Sequence, residues 1–552
     1  MEQPDFRSMS FYQIWIRSFC DGNGDGIGDL YGVYDKLDYI KSLGVDAVWF
    51  SPIYPSPNAD YGYDVSDYEN VHPDYGDLEQ FRRVLDRAHA LGLKVILDLV
   101  INHTSDEHPW FLESRRGGEG PYRDYYFWRD PRKGKKGKRP NNWTSQFTGP
   151  AWEYDEGRGQ YYLHLFAKKQ PDLNMDNPKV REEIKSVMRF WLDMGVDGFR
   201  EDVITFISKH EKLPNGIPWL PVINGMPYYK DGPNLLRYLR EFRAVAQEYG
   251  AIQIGEAPMT GVKEALRYVA GEDRVLDMVI QFDHMTADCF YTEFLHHPFS
   301  LRKLKRAFSR WQYGLAGKAW NALYLENHDH PRVVSRYGSE RYLRQSATAL
   351  AAAYLFQQGC PFIYQGQELG MTNVRLPSIE EYLDVASHNL YRMFRHVSPE
   401  EKRLLRVQRS SRDSARTPMQ WTKGPNAGFS RGKPWFAVNE NYREINAEAE
   451  EADPDSVLNF YRRALALRKG NEALLRGEYR EYEPQSRTLY MYERRGETQR
   501  ILVVCSFSDR AQTYSLPPDY PAEAGELLLG NCPAGGRAGS LLPWEAQVLR
   551  WR

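Results

Sequence analysis

The sequence predicts an α/β protein built on a (β/α)8 barrel, with an insertion after the third strand and an all-β domain at the C-terminus. Three observations carry that reading. Eight short apolar runs recur between residues 11 and 364, helical periods separate them, and after about residue 475 the pattern changes to alternating strands.

The eight runs are FYQIWI (11–16), DAVWF (46–50), KVILDLV (94–100), VDGFR (196–200), IQIG (252–255), MVIQF (278–282), NALYL (321–325) and PFIY (361–364). They are short, mostly β-branched or aromatic, and read as strands buried on both faces. Between the second and third, Phe81, Val84, Leu85, Ala88 and Leu91 fall on one helical face, and Gly92 stops the helix before the next strand. From His103 to Pro171 the chain is polar and aromatic, without helix–strand alternation, and reads as an insertion domain over 103–171. The barrel then occupies 1–102 and 172–474, with extra helices and loops over 375–455. A β-sandwich follows over 475–552, marked by TLYMYE and ILVVCSF.

Composition excludes several classes. Lys and Arg number 72 against 74 Asp and Glu, so the chain has no global attraction for nucleic acid or anionic membranes. The basic run RKGKKGKRP (132–140) reads as a solvated loop of the insertion. No apolar run approaches a membrane span, and MEQPDFRSMSFYQIWI lacks the marks of a signal peptide. Cys20, Cys289, Cys360, Cys505 and Cys532 are odd in number and widely spaced, which fits a reducing cytoplasm better than a disulfide framework. Aromatic residues make up 14% of the chain, which suits either a large core or ring stacking in a cleft.

Catalytic groups of a barrel sit where strands pass into loops. Here charged residues stand at one strand end after another: Asp98, Asn102 and His103 after the third, Arg200 and Asp202 after the fourth, Glu256 after the fifth, and Glu326, His328 and Asp329 after the seventh. Burying them together without a task would be costly. Several carboxylates with Arg and His, and no Cys/His cluster, suit glycoside chemistry, in which one carboxylate attacks the anomeric carbon and another protonates the leaving oxygen. Arg200, two residues before Asp202, shares its strand face and is expected to keep that carboxylate ionised.

DLVINH (98–103), GFREDV (198–203), GEA (255–257) and ENHD (326–329) resemble the four characteristic regions of glycoside hydrolase family 13, the α-amylase family. QPDLN (170–174) resembles the fifth region of its oligo-1,6-glucosidase and α-glucosidase branch. The resemblance covers nearly the whole chain and implies a retaining mechanism with Asp202 as nucleophile, Glu256 as general acid/base and Asp329 as transition-state stabiliser. It places Asp60, Tyr63, His103, Arg200, His328 and Arg416 around the terminal glucose. Phe147 and Phe166 are either aromatic walls of that pocket or core of the insertion. In this branch Val after the nucleophile accompanies α-1,6 cleavage, and Val203 stands there. The resemblance thus implies an exo-acting oligo-1,6-glucosidase for isomaltose and short isomaltooligosaccharides, needing no organic cofactor; the sequence does not give the oligomeric state, and a monomer is the expectation. Its siblings, an α-1,4-active or broad α-glucosidase, a dextran glucosidase, a trehalose-6-phosphate hydrolase and a sucrose isomerase, are the alternatives. A non-catalytic barrel is the alternative from another class; it would have lost the acids this chain keeps. Glu201, Met175 and His330 depart from the residues usual at their places. Strand alternation points Glu201 away from the pocket, where its charge needs a partner.

DGNGDGIGDL (21–30) follows the first strand. Asp21, Asn23, Asp25 and Asp29 fall at positions 1, 3, 5 and 9 of an EF-hand-like loop, with the Ile27 carbonyl at 7, but Gly32 replaces the bidentate glutamate at 12. The resemblance implies a structural calcium there, sometimes replaced by magnesium, clamping a loop rather than performing catalysis.

Overall fold

The computed structural model describes residues 5–134, 137–290, 295–518, 520–521, 524–533 and 538–552. β1 (Phe11–Ile14), β2 (Ala47–Phe50) and β3 (Lys94–Leu99) begin the barrel. The chain then leaves it to form a three-stranded antiparallel sheet from β4 (Trp128–Arg129), β5 (Trp152–Asp155) and β6 (Gln160–Leu163). A bridge between His103 and Asp172 pinches the base of this excursion. Of the basic run, Lys135 and Lys136 lie outside the described residues, while Lys133, Lys138 and Arg139 are exposed.

The barrel resumes with β7 (Gly198–Glu201), β8 (Ile252–Ala257), β9 (Met278–Gln281), β10 (Ala322–Leu323) and β11 (Cys360–Tyr364). The eight strands pair in parallel in the order β10-β11-β1-β2-β3-β7-β8-β9. No ladder joins β9 to β10, but the Tyr324 hydroxyl donates to the Gln281 carbonyl at 2.9 Å across that gap. The sheet is therefore a nearly closed barrel. The predicted strands are all present, and apart from half-buried Lys94 every residue of β1–β3 and β7–β11 is buried, which explains their apolar runs. Parallel register brings Arg200 of β7 opposite Asp98 of β3.

The helix Leu78–Ala90 illustrates how the outer layer forms. Asp77 caps it by accepting the Gln80 N–H, and Phe81, Val84, Leu85 and Ala88 are buried against the strands. Gly92 takes the left-handed backbone (φ 69°) that releases the chain into β3.

Beyond the barrel, β12 (Glu478–Tyr482), β13 (Leu489–Arg495), β14 (Arg500–Ser506), β15 (Gln512–Thr513), β16 (Glu526–Gly530), β17 (Ser540–Leu541) and β18 (Ala546–Trp551) form two antiparallel sheets. The larger runs β12-β13-β14-β18-β16, and the smaller is the pair β15-β17. One face of the larger sheet shares a core with Tyr514 and Leu541 beside the small sheet; the other packs on the barrel, where the Tyr492 hydroxyl donates to the Ala352 carbonyl. Among the described residues, no helix is long and apolar enough to cross a membrane.

Candidate active site

Three strand ends bring predicted acids together around one guanidinium. Arg200, 1% exposed, donates from Nη1 to Asp98 Oδ1 at 2.8 Å and to Asp202 Oδ1 at 2.7 Å, and its Nη2 lies 2.6 Å from Glu256 Oε1. One positive charge thus serves three carboxylates. Burial, together with repulsion from Glu256 and Asp98, raises Asp202 well above the usual aspartate range despite the pull of Arg200. Burial likewise pushes Asp98 up to about 6. Arg200 lies against Asp202, as its shared strand face predicts, but its charge is divided among three carboxylates and offsets only part of the cost of burying Asp202.

Asp329 faces a different environment. His328 Nε2 lies 3.1 Å from its Oδ2, while Arg412 and Arg416 donate to Oδ1 at 3.1 and 3.0 Å. Burial would raise this carboxyl, but His328, Arg412 and Arg416 outweigh it and hold it well below the usual range. His328 is itself fixed by the Tyr63 hydroxyl at 2.6 Å, by Gln13 at 2.7 Å and by stacking on Trp15. Gln170, the first residue of QPDLN, donates to Asp60 Oδ2 at 3.1 Å and lies 3.1 Å from His103 Nε2. Glu326 turns inward, onto Arg332 and the Val333 N–H.

These groups surround a cavity of about 300 Å³. Asp60, Tyr63, His103, Asp202, Glu256 and Asp329 line it. So do Val203, Phe147 and Phe166, the last two meeting edge to face at 5.7 Å, so both phenylalanines are pocket walls. Arg200, His328 and Arg416 stand behind the lining and orient it. Sequence reading missed Arg412 and Asp384. Arg412 donates to Asp60 at 3.0 Å and to Asp384 at 2.6 Å besides reaching Asp329. The signal was present: Arg412 precedes Arg416 by four residues in SSRDSARTPMQW.

The departures separate. Met175 is fully buried in the core and does not reach the cavity, whereas His330 lines it. Glu201 points outward, as expected. Gln253 donates to its Oε1 at 2.6 Å, and burial pushes the carboxyl up to about 7.

In the 21–30 loop, Asp29 caps the helix Leu30–Ser42 and accepts N–H groups of Gly22, Asn23 and Gly32. Asp21 accepts from Gly26 and from Ser430, while Asn23 Oδ1 accepts the Asp25 N–H and Asp25 Oδ1 the Ile27 N–H. The donor set of carboxylates, one amide oxygen and the Ile27 carbonyl has the hard-oxygen chemistry of a calcium or magnesium site. None of these five residues lines the cavity.

The family model of the α-amylase catalytic domain matches residues 13–477. The chain is 46% identical to an oligo-1,6-glucosidase of Parageobacillus thermoglucosidasius, over the full length of both. It is 42% identical to a trehalose-6-phosphate hydrolase of Bacillus subtilis, covering all of this chain and 98% of that one. The crystal structure of an isomaltulose synthase from Klebsiella superposes with a TM-score of 0.95 at 40% identity, over 99% of each chain.

Proposed function

The chain belongs to the α-amylase family of glycoside hydrolases, and we propose that it is a retaining, exo-acting α-glucosidase that removes terminal α-1,6-linked glucose from isomaltose and short isomaltooligosaccharides. The carrying observation is the sharing of Arg200 by Asp202 and Glu256. Two carboxylates on one guanidinium lie close together, the spacing that suits direct attack by one of them rather than a water held between them. In this reading Asp202 attacks the anomeric carbon while Glu256 gives its proton to the leaving oxygen. Glu256 then takes a proton from the water that displaces Asp202. Asp329, kept ionised by its basic neighbours, faces the positive charge that develops on the sugar ring.

Exo action is supported by the ion pair of Arg412 with Asp60, which walls the pocket beyond the glucose. Val203 and the oligo-1,6-glucosidase relative support the α-1,6 linkage. Trehalose 6-phosphate is disfavoured. Arg412 is the only Arg or Lys among the described pocket-lining residues, and Asp60, Asp329 and Asp384 already claim it.

A calcium ion on Asp21, Asn23, Asp25, Asp29 and the Ile27 carbonyl belongs to the same proposal as a structural clamp, with magnesium as its substitute. So does a monomer working in a reducing cytoplasm, which the absence of disulfides among the described residues suits.

Two measurements test the reading together: kcat/KM for isomaltose and maltose side by side, and proton NMR of the first glucose released. Preference for isomaltose with α-glucose appearing first is expected. Preference for maltose overturns the linkage, and β-glucose first overturns the retaining mechanism.

A further inference from the structure

We propose that Asp288, Cys289 and His296 form a binding site for a divalent metal of the zinc class, separate from the 21–30 loop and from the sugar cavity. None of the three lines that cavity.

The site starts from a backbone pairing. Past β9 and the turn Asp283–Thr286, Cys289 and His296 meet as an isolated antiparallel bridge. The His297 N–H donates to the Asp288 carbonyl at 2.7 Å and the Phe290 N–H to the Leu295 carbonyl at 3.0 Å, so the hydrogen bonds flank the pair instead of joining it. That is the closer of the two antiparallel arrangements, and it sets both side chains on one face. Cys289 Sγ accordingly lies 3.7 Å from His296 Nδ1. Asp288 adds a carboxylate, with Oδ1 3.2 Å from the sulfur and Oδ2 3.7 Å from Nδ1. One ligand atom from each residue fits within 4.8 Å of the other two. A tetrahedral zinc ion, with bonds of about 2.0–2.3 Å, holds its ligands about 3.3–3.6 Å apart, so small side-chain shifts close the three onto one ion.

The surroundings select the metal. Arg336, on the helix Val333–Tyr337, donates Nε to Asp288 Oδ2 and Nη2 to Oδ1, both at 2.8 Å, and its Nη2 lies 3.6 Å from Cys289 Sγ. Lys303 Nζ donates to the Cys289 carbonyl at 3.3 Å. This positive charge lowers the cost of a thiolate at Cys289, and it repels a hard cation that gains only from charge. A metal that bonds sulfur and imidazole strongly enters despite it, and thiolate, imidazole and carboxylate are zinc ligands. Asp288 and Cys289 are buried, while His296 keeps 13% of its side chain exposed, so the approach is from the imidazole side. On binding, the metal takes a sulfur lone pair as the thiol proton leaves to solvent, and water fills the fourth position. The metal then clamps the loop after β9, whose Asp288 is already tied to the helix Val333–Tyr337.

The test is a cobalt titration of the reduced full-length protein in excess calcium, which occupies hard-oxygen sites. One equivalent of cobalt is expected to give the near-ultraviolet charge-transfer band of a cobalt–thiolate bond, with the strong visible bands of a four-coordinate ion. Zinc is expected to displace it and to raise the unfolding temperature. Cys289→Ser and His296→Gln, with parental circular dichroism, are expected to lose both the bands and the zinc-dependent rise. Cys532→Ser, at a partly exposed thiol, is expected to keep them. Absence of the thiolate band in the parent, or its survival in Cys289→Ser, overturns the site. Survival in His296→Gln reduces the site to a lone thiol and overturns it as well. If Cys289→Ser fails to fold, His296→Gln decides alone.

Discussion

Val203 donates its backbone N–H to Glu256 Oε2 at 3.1 Å, and it does so from a left-handed conformation (φ 37°, ψ 47°). A β-branched residue pays about 1–2 kcal/mol for that backbone, and the neighbours of the turn must hold it there. The turn aims the residue after the nucleophile at the acid/base, so position 203 is set by backbone geometry and by the pocket at once. Val203→Gly should weaken the isomaltose preference, because the branched wall is gone. Relief of the backbone strain should offset part of the about 1.5–3 kcal/mol lost with a buried valine side chain, read as a shift in the urea midpoint. Loss of the full burial cost would show that the turn carries no strain.

Three carboxylates around Arg200 make a prediction about pH. A raised Asp202 must lose its proton before it can attack, so kcat/KM should fall on acidification at a higher pH than an ordinary aspartate would give. Asp98→Asn removes one like charge from the cluster. It should move that acid limb to lower pH, whatever it does to the maximum rate. A limb that stays in place would show that Asp98 does not share in the titration. Asp202→Asn should cost several powers of ten in kcat.

Glu201 predicts a stability effect with a definite sign. Its carboxyl stands at about 7 in the fold, above its ordinary value near 4.5, because burial outweighs the hydrogen bond it accepts from Gln253. The protonated form is therefore favoured by folding. That contribution is complete below about pH 4.5 and is lost as pH rises through about 7, a swing of roughly 3 kcal/mol. Glu201→Gln has no charge to bury. It should match the parent at pH 4.5 and be clearly more stable at pH 8, as compared by thermal unfolding at both values. Equal stability at pH 8 would mean that Glu201 carries no burial penalty in the fold.

Sequence reading located the strands because a parallel strand buried on both faces is a continuous apolar run, and KVILDL could hardly be anything else. It located Asp202, Glu256 and Asp329 because strand ends are where a barrel keeps its chemistry. Arg412 and Asp384 escaped it for a physical reason. They lie after the last strand, where no periodicity fixes direction; the role of Arg412 arises from meeting Asp60 over 300 positions away in sequence, and that of Asp384 from pairing with Arg412. The division of Arg200 among three carboxylates was equally hidden, since strand spacing gives a shared face but not the number of partners on it. Glu201 was legible in direction, through alternation, but its partner Gln253 comes from the neighbouring strand.

The 21–30 loop should behave as a clamp. Its oxygens lie outside the cavity, and Asp21 ties the loop to Ser430 across the fold. Chelation should therefore lower the unfolding temperature, and calcium should restore it, while kcat for isomaltose at 25 °C stays within about twofold. Loss of kcat in protein that remains folded would overturn the clamp reading, and an unchanged unfolding temperature would show that no ion stabilises the loop.

Arg412 offers the sharpest test of where the glucose lies. Its guanidinium joins Asp60, Asp329 and Asp384, three carboxylates from three separate segments, and packs over the Phe147 ring at 4.9 Å. Removing it leaves those acids without a shared counter-charge in a buried site, a change that typically costs about 3–5 kcal/mol. Lysine restores the charge but not the fork, since one ammonium cannot span three partners in the geometry of a planar guanidinium. Arg412→Lys should therefore fold, while kcat/KM for isomaltose falls by about a hundredfold or more and competitive inhibition by free glucose weakens in parallel. The parallel loss is the discriminating result. If glucose still inhibits with parental affinity, the sugar does not occupy the end of the pocket that Arg412 closes, and the exo reading fails with it.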